Sequence, residues 1–402
     1  MSLPLISVLM VNYNHEGHIG EAIESVLSQT HQNIQFIIVD DGSTDHSREI
    51  IEKYSLADSR IEYYPQPVNR HICHATNFGF QKVKGEYLAR IDSDDLWYPD
   101  KLEKQLHFIQ SAKDCRICFS WIDLIDQNGT IVNDSEKALF DLYRSHTMTQ
   151  EEWLRFFFFI GNNLCHSSVL METSLMRQIG RFHLAYRQAH DFDYWIRASL
   201  YCQIHVIEEP LVALRRFINS ELKNTSSSDE VDMTRFYNEF MMIRSRFFDQ
   251  MPDELFTRTF RSMFRNTDSS APEELECEKA FLLCNDQFPA TSDPVIGLLR
   301  LERLLYRPDS AELLEKNYDF TPIEYYKWNG VHLYYDHYLK EHLEMIPSLN
   351  EEISSLRQAL SSTNASLEET AYQLNTLQNS ACWKLTRPIR LILDKLKGGR
   401  SS

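Results

Sequence analysis

The stretch Tyr87-Leu88-Ala89-Arg90-Ile91-Asp92-Ser93-Asp94-Asp95 decides the fold. Its first five residues form a largely apolar run with the character of a strand. Its last four are acidic or small and polar. Carboxylates gathered at a strand's end repel one another unless a cation offsets them. A hard divalent metal, itself bound to phosphate oxygens, is the usual partner. Taken alone, the same turn reads as a cap for the helix after Pro99, because Asp is common at caps. What precedes it in the chain favours the first reading.

Upstream, residues 1–110 alternate strand and helix patterns, which predicts a parallel α/β sheet. Residues 5–11 are apolar and β-branched, the mark of a strand buried on both faces. Ile19, Ala22, Ile23, Val26 and Leu27 recur at helical spacing. Residues 36–39 and 61–64 are the next strands, and residues 75–83 a helix closed by Lys84-Gly85. A polar cluster follows each of three strands: Asn12-Tyr13-Asn14, Asp40-Asp41 and Asp92 to Asp95. In open α/β sheets ligands bind at that edge. Convergence of three such clusters is hard to explain as solubility.

Downstream, residues 117–125 read as a strand and 126–129 as a hairpin-type turn. Residues 153–160, 169–179 and 191–200 read as helices, and 204–207 and 211–214 as short strands flanking Pro210. Residues 220–228 read as a linker. Residues 230–345 mix aromatic and acidic side chains on helices without a chemical motif. From Leu349 to Leu377, Leu, Ile and Thr alternate steps of four and three, an a/d seam of about four heptads. Residues 383–393 interleave basic and apolar side chains around Trp383, a pattern suited to an anionic membrane surface.

At 402 residues, two or three domains are expected. The net charge of −17 argues against a nucleic-acid partner, because a phosphate backbone demands a basic face. Met1-Ser2-Leu3-Pro4 enters a strand directly, so no signal peptide is expected, and no run reaches the roughly 20 residues of a spanning helix. Eight cysteines are scattered. The single CxxC, Cys115 and Cys118, has no second pair, so reduced buried thiols are the expectation. No GxxxxGK[ST] or GxGxxG occurs, which removes P-loop and dinucleotide readings.

The ordered set of residues 8–14 (VLMVNYN), 39–45 (VDDGSTD), Asn77-Phe78-Gly79, 91–95 and Ala189-His190-Asp191-Phe192-Asp193-Tyr194-Trp195 resembles the family 2 glycosyltransferases. These are inverting enzymes of the GT-A fold, a Rossmann-like, mostly parallel sheet with flanking helices, and they use nucleotide-diphosphate sugars. The resemblance covers roughly residues 3–217, and the tail segment ACWKLTRPIR is similar to the ends of bacterial surface-polysaccharide glycosyltransferases. It implies residues 1–219 as a GT-A domain, followed by a helical accessory region at 220–345. A coiled-coil-like helix at 346–380 and a basic amphipathic tail at 381–402 complete the expected organisation.

The resemblance also implies site residues. Val11, Asn12, Tyr13, Asn14, Asn69, Asn77, Ser93 and Arg215 would border a nucleotide sugar, with a UDP-sugar the leading donor. Asp41, with Asp40 as a second candidate, would accept from the base or ribose, since a carboxylate is acceptor-only. Asp92 would contact ribose or metal, Asp94 would ligate Mg²⁺ or Mn²⁺, and Asp95 would cap the following helix. Asp191 would be the general base for transfer to a hydroxyl of a glycan or lipid-linked acceptor. Hexosyl or N-acetylhexosaminyl transfer is expected, at the inner face of the cell membrane, with self-association through residues 349–377. Three positions depart from the pattern: His190 stands where the first acid of the pair is usual, Phe217 where a His can complete the metal site, and Asn69-Arg70-His71 where Asn-x-Gly is usual in the donor-side loop. A non-catalytic nucleotide-sugar-binding scaffold and a nucleotidyltransferase are the competing expectations. The latter normally needs a basic phosphate loop, which residues 12–17 lack.

Overall fold

In the computed structural model, strand β1 (Ile6–Asn12) is buried at all seven positions, as is β2 (Ile34–Asp40). The structure describes residues 3–217, 230–285, 294–330, 337–387 and 389–391. Alternation along the strands feeds two cores. Leu9, Val11, Ile37, Val39 and Leu88 face one, and Val8, Met10, Phe36, Ile38, Ala89 and Ile91 the other. Burial on both faces explains why these strands read as unbroken apolar runs. Helices α1 (Ile19–Leu27) and α2 (Ser47–Ala57), strand β3 (Ile61–Pro65) and α3 (Ile72–Phe80) follow, then β4 (Tyr87–Asp92). Strand β2 pairs in parallel with β1 and β3, and β1 with β4.

Next come β5 (Leu96–Trp97), α4 (Lys101–Ser111), β6 (Ile117–Ile125), α5 (Lys137–Leu142), α6 (Gln150–Phe159), β7 (Leu170–Glu172), α7 (Thr173–Ile179), α8 (His190–Ser199) and β8 (His205–Arg215). The eight-stranded sheet runs β3-β2-β1-β4-β7-β6-β8-β5. Two expectations change here. Residues 169–179 begin as β7, which lies antiparallel between β4 and β6, before α7 starts. The two short strands around Pro210 are one strand, β8. Its register against β6 shifts where Trp121 faces Pro210. A proline has no N–H to donate, and a bulge absorbs it without ending the strand.

The chain divides into two compact units, Met1–Tyr334 and Tyr335–Ser402. In the first, the helices between residues 230 and 283 share a core with the sheet. Helices α9 (Glu230–Ser245), α10 (Asp253–Phe260) and α11 (Pro272–Leu283) contribute Ile243, Phe256, Phe260 and Leu282, and the turn after α9 contributes Phe247 and Phe248, to the same core as Leu9 and Trp195. Helices α12 (Pro294–Leu305), α13 (Pro308–Tyr318) and α14 (Pro322–Asn329) build a smaller core on Leu298, Leu301, Leu314 and Phe320. Both cores belong to the first unit. The second unit holds α15 (His337–Asn379) and α16 (Ala381–Leu385). Among the described residues, no helix is long and apolar enough to cross a membrane.

Candidate active site

Strands β1, β2 and β4 end side by side, with Asn12 opposite Asp40 and Val11 opposite Asp92. Asn12 is fully buried, and its amide donates to Asp40 Oδ1 (3.0 Å) and Ser43 Oγ (3.1 Å). The backbone N–H of Asn14 donates to the same Ser43 hydroxyl at 3.0 Å. Asp40 also takes the Arg48 guanidinium at 3.0 Å. Asp40 is thus spent within the protein, which corrects its candidacy as a base or ribose contact. Tyr13 stands out from this knot with 43% of its surface exposed.

Asp41 is buried beneath residues 68–71, and both its oxygens accept the Arg70 N–H, at 3.0 and 3.2 Å. Burial raises its pKa, against the hydrogen bonds from Arg70 and His71. Gly42 makes this closeness possible. Its φ is +78°, and a Cβ there would lie 2.5 Å from the Asn69 nitrogen. Asn69 turns inward, accepting the His71 N–H at 2.8 Å. Asn14 and His71 both hold left-handed φ angles, 56° and 67°. Such strain gathers at ligand sites and persists where the surroundings impose it. Asn77 lies apart from this edge. It is buried, donates to the Phe182 carbonyl at 2.9 Å and accepts the Phe182 N–H at 2.8 Å. Its expected contact to a nucleotide sugar is replaced by a role in anchoring the loop before α8.

The acidic turn is held by an internal scaffold. Ser93 is buried, and its hydroxyl meets His15 Nδ1 at 2.9 Å. Asp95 is 1% exposed; it accepts the Arg215 N–H at 2.9 Å and the Ser167 hydroxyl. It ties β4 to β8 and does not cap the next helix, whose N-cap is Asp100. Arg215 is likewise corrected. Its side chain has no exposed surface, and it donates to the carbonyls of Asp94 (2.7 Å), Asp126 (3.2 Å) and Gln127 (3.1 Å) and pairs with Glu21. It clamps the turn from beneath and does not face a ligand. Phe217 packs against His18, ring centroids 5.4 Å apart.

Asp92 and Asp94 remain presented, with side-chain exposures of 36% and 19%. Burial works to raise the Asp92 pKa, but the Arg90 guanidinium beside it holds the carboxyl well below the usual range. Asp94 moves the other way, raised by burial and by the Asp92 charge. His15 Nδ1 lies 3.9 Å from Asp94. Two carboxylates with oxygen donors suit a hard divalent ion. Among the described residues no group of three or more His, Cys, Asp or Glu side chains is arranged to hold a metal.

Asp191 is the second residue of α8. It is not the N-cap, and α8 has no side-chain cap of its own. Asn162 donates to Asp191 Oδ2 at 3.1 Å, and the Phe192 N–H to Oδ1 at 2.8 Å. Burial raises the Asp191 pKa; the Asp92 charge adds to this, and His190 opposes it. The Asp92 N–H donates to Ser167 Oγ at 3.0 Å, and the ring of the adjacent His166 lies 5.4 Å from that of His190 at the start of α8. Asp193 instead pairs with Arg197 at 2.7 Å on the helix surface.

Two contributors were not legible in the sequence. Arg90, 3% exposed, is the buried partner of Asp92, yet a strand pattern gives no sign that one member turns toward an acid. Glu239 on α9, 4% exposed, accepts the N–H groups of Arg187, Gln188 and Ala189, each at 2.8 Å. Its carboxylate supplies from a distant helix the acceptors that the start of α8 lacks. Phe240 stacks on Phe192 beside it, 5.4 Å between centroids. The CxxC thiols are free and buried, with Cys115 pushed up to about 12 by burial.

The model of the family described as glycosyl transferase family 2 matches residues 7–184. An uncharacterized glycosyltransferase of Methanocaldococcus jannaschii is 30% identical over 219 residues, 54% of this chain and 72% of the relative. A Bacillus subtilis protein named as a candidate glycosyltransferase of teichuronic acid biosynthesis is 40% identical over 127 residues, 32% of this chain and 50% of the relative. Among solved structures, residues 1–349 of S. aureus TarS, in complex with UDP-GlcNAc, are 19% identical with a TM-score of 0.50, covering 82% of this chain and 93% of that one. The α/β sheet with flanking helices and a helical C-terminal region is of the GT-A type. With the strand-end acids in place and a relative matched along most of its length, the chain belongs to glycosyl transferase family 2.

Proposed function

We propose that the chain is an inverting glycosyltransferase that moves a sugar from a nucleotide-diphosphate sugar to a hydroxyl of a glycan or lipid-linked acceptor, with Asp191 as general base. The observation that carries this reading is the link between the end of β4 and the start of α8, where Asp92 bonds Ser167 and the ring of the adjacent His166 lies against that of His190. In one displacement the acceptor oxygen forms its bond to the anomeric carbon while the bond to the diphosphate breaks. The acceptor's proton passes to Asp191. A base works best with a pKa near the operating pH, and burial moves Asp191 in that direction. The Asn162 amide aims the carboxylate through Oδ2.

The backbone of residues 11–14 borders the base and ribose, and the exposed Tyr13 ring offers a stacking face. A UDP-sugar is the leading donor, since the structurally similar TarS was solved with UDP-GlcNAc. Mg²⁺ or Mn²⁺, when bound, supplies positive charge against the departing diphosphate. Asp94 and Asp92 would hold it. Ser93, Asp95 and Arg215 keep that turn in place. The basic, apolar-interleaved segment after Trp383 brings the enzyme to an anionic membrane face, where lipid-linked acceptors reside.

The test is Asp191→Asn. The amide preserves shape and cannot accept the proton, so transfer falls by at least about 100-fold while UDP binding persists. Calorimetry with UDP and Mn²⁺ verifies the binding. Transfer at the parental rate would refute the assignment.

A further inference from the structure

Helix α15 runs 43 residues, from His337 to Asn379. Beyond Pro347 one face carries Leu349, Ile353, Leu356, Leu360, Leu367, Leu374 and Leu377, and each leaves between 46% and 63% of its surface exposed. Seven large aliphatic side chains on one seam are too many for a solvated helix. The seam follows the heptad register, with Ile353, Leu360, Leu367 and Leu374 at a and Leu349, Leu356, Thr363, Thr370 and Leu377 at d. The two threonines do not break it. The Thr363 hydroxyl donates to the Ala359 carbonyl (2.9 Å) and the Thr370 hydroxyl to the Ser366 carbonyl (2.8 Å). Their polar atoms are satisfied within the helix, so the methyl groups are free to pack.

The flanking positions name the occupant. In this register residues 350, 357, 364, 371 and 378 are e, and 352, 359, 366 and 373 are g. Charge falls on only two of them: Glu352 at g and Arg357 at e. The other charged residues between 349 and 379, Glu351, Glu368 and Glu369, lie at the outer f, b and c positions. In a parallel, in-register pair, a g residue faces the e residue five positions later on the partner helix. Position 352 therefore meets 357, acid to base, twice by symmetry. In an antiparallel pair g meets g and e meets e, and the two charges find no opposite partner. The remaining flanks, Ala359 with Asn364, Ser366 with Ala371 and Gln373 with Gln378, are neutral and compatible with the parallel alignment.

We infer that a second copy of this chain covers the seam, as a parallel two-stranded coiled coil in register. One consequence concerns the tail. A parallel pair carries both basic segments, residues 383–391, at the same end. Trp383, Leu385, Ile389 and Leu391 are 40%, 78%, 61% and 55% exposed there. Two such segments on one rigid stem engage a membrane together, with the second contact intramolecular.

The experiment measures the mass of the full-length protein in solution by sedimentation equilibrium, with four variants. The parent is expected as a dimer. Leu360→Asp with Leu367→Asp is expected as a monomer with its far-ultraviolet helical signal reduced only in proportion to α15. Glu352→Arg weakens dimerisation by about tenfold through two like-charge contacts, and adding Arg357→Glu restores it. The charge swap keeps a foldable helix and separates a parallel pair from other arrangements. A Leu356→Cys variant, whose cysteines face each other only in the parallel register, forms a disulfide-linked dimer under mild oxidation. A monomeric parent, a trimer or tetramer, or a charge reversal that fails to restore dimerisation would overturn the proposal.

Discussion

Replacing Glu239 by Ala tests how the accessory helices serve the site. Glu239 is 4% exposed and takes three backbone N–H groups just ahead of Asp191. A charge-assisted hydrogen bond contributes roughly 1.5–3 kcal/mol, and an orphaned buried donor costs roughly 1–3 kcal/mol. Three such donors would sum to more, but water and small backbone shifts recover part. The expected loss is about 3–5 kcal/mol, the range for breaking a buried charged contact. The functional effect follows from position. Freed N–H groups at residues 187–189 let the start of α8 drift, and Asp191 drifts with it. A displacement of about 1 Å at a reacting group costs on the order of 100-fold in rate. The proposed nucleotide site lies at the β1, β2 and β4 ends, which Glu239 does not touch, so UDP affinity is expected to stay within about twofold. Urea unfolding reads the stability, transfer kinetics read kcat, and calorimetry with UDP and Mn²⁺ reads binding. Glu239→Gln, which keeps one acceptor oxygen, falls between the two. An Ala variant with parental kcat and an unchanged urea midpoint would refute the reasoning, as would a loss of UDP affinity that matches the loss of rate.

Arg215→Met should lower the urea midpoint by the equivalent of about 3–5 kcal/mol, because three carbonyls lose a fully buried donor. Unchanged stability with weakened UDP binding would return Arg215 to the ligand. The raised pKa of Asp191 predicts an acid limb in kcat above the ordinary carboxylate value of about 3.9. The base must be deprotonated, so the rate falls as pH drops through that limb; a profile flat down to pH ~4 would contradict it. Deleting residues 380–402 should move the protein from vesicles rich in anionic lipid to the supernatant in a flotation assay, and unchanged partitioning would rule out the tail as the contact.

Much of the fold was legible because its signals are local. Strands buried on both faces must be apolar throughout, so residues 5–11 and 36–39 announce themselves, and each polar cluster marks where such a strand leaves the core. The heptad seam needs only a period. The partition of polar residues between structure and ligand is not local. Asp40 and Asp41 are adjacent in the chain, yet one is consumed by Asn12, Ser43 and Arg48 and the other is closed under residues 68–71. Asp94 and Asp95 divide in the same way: the first stays presented, while the second faces β8.

Hydrophobic periodicity and turn chemistry act over a few residues, so the chain alone specifies the sheet, its polar edge and the acidic residues that stand there. Which of those groups are spent inside follows from how distant segments pack. Arg215 meets the Asp94 carbonyl from 121 positions away, and Glu239 reaches the loop before α8 from about 50. A buried polar group must find a partner wherever the chain brings one, and that choice belongs to three-dimensional packing rather than to spacing.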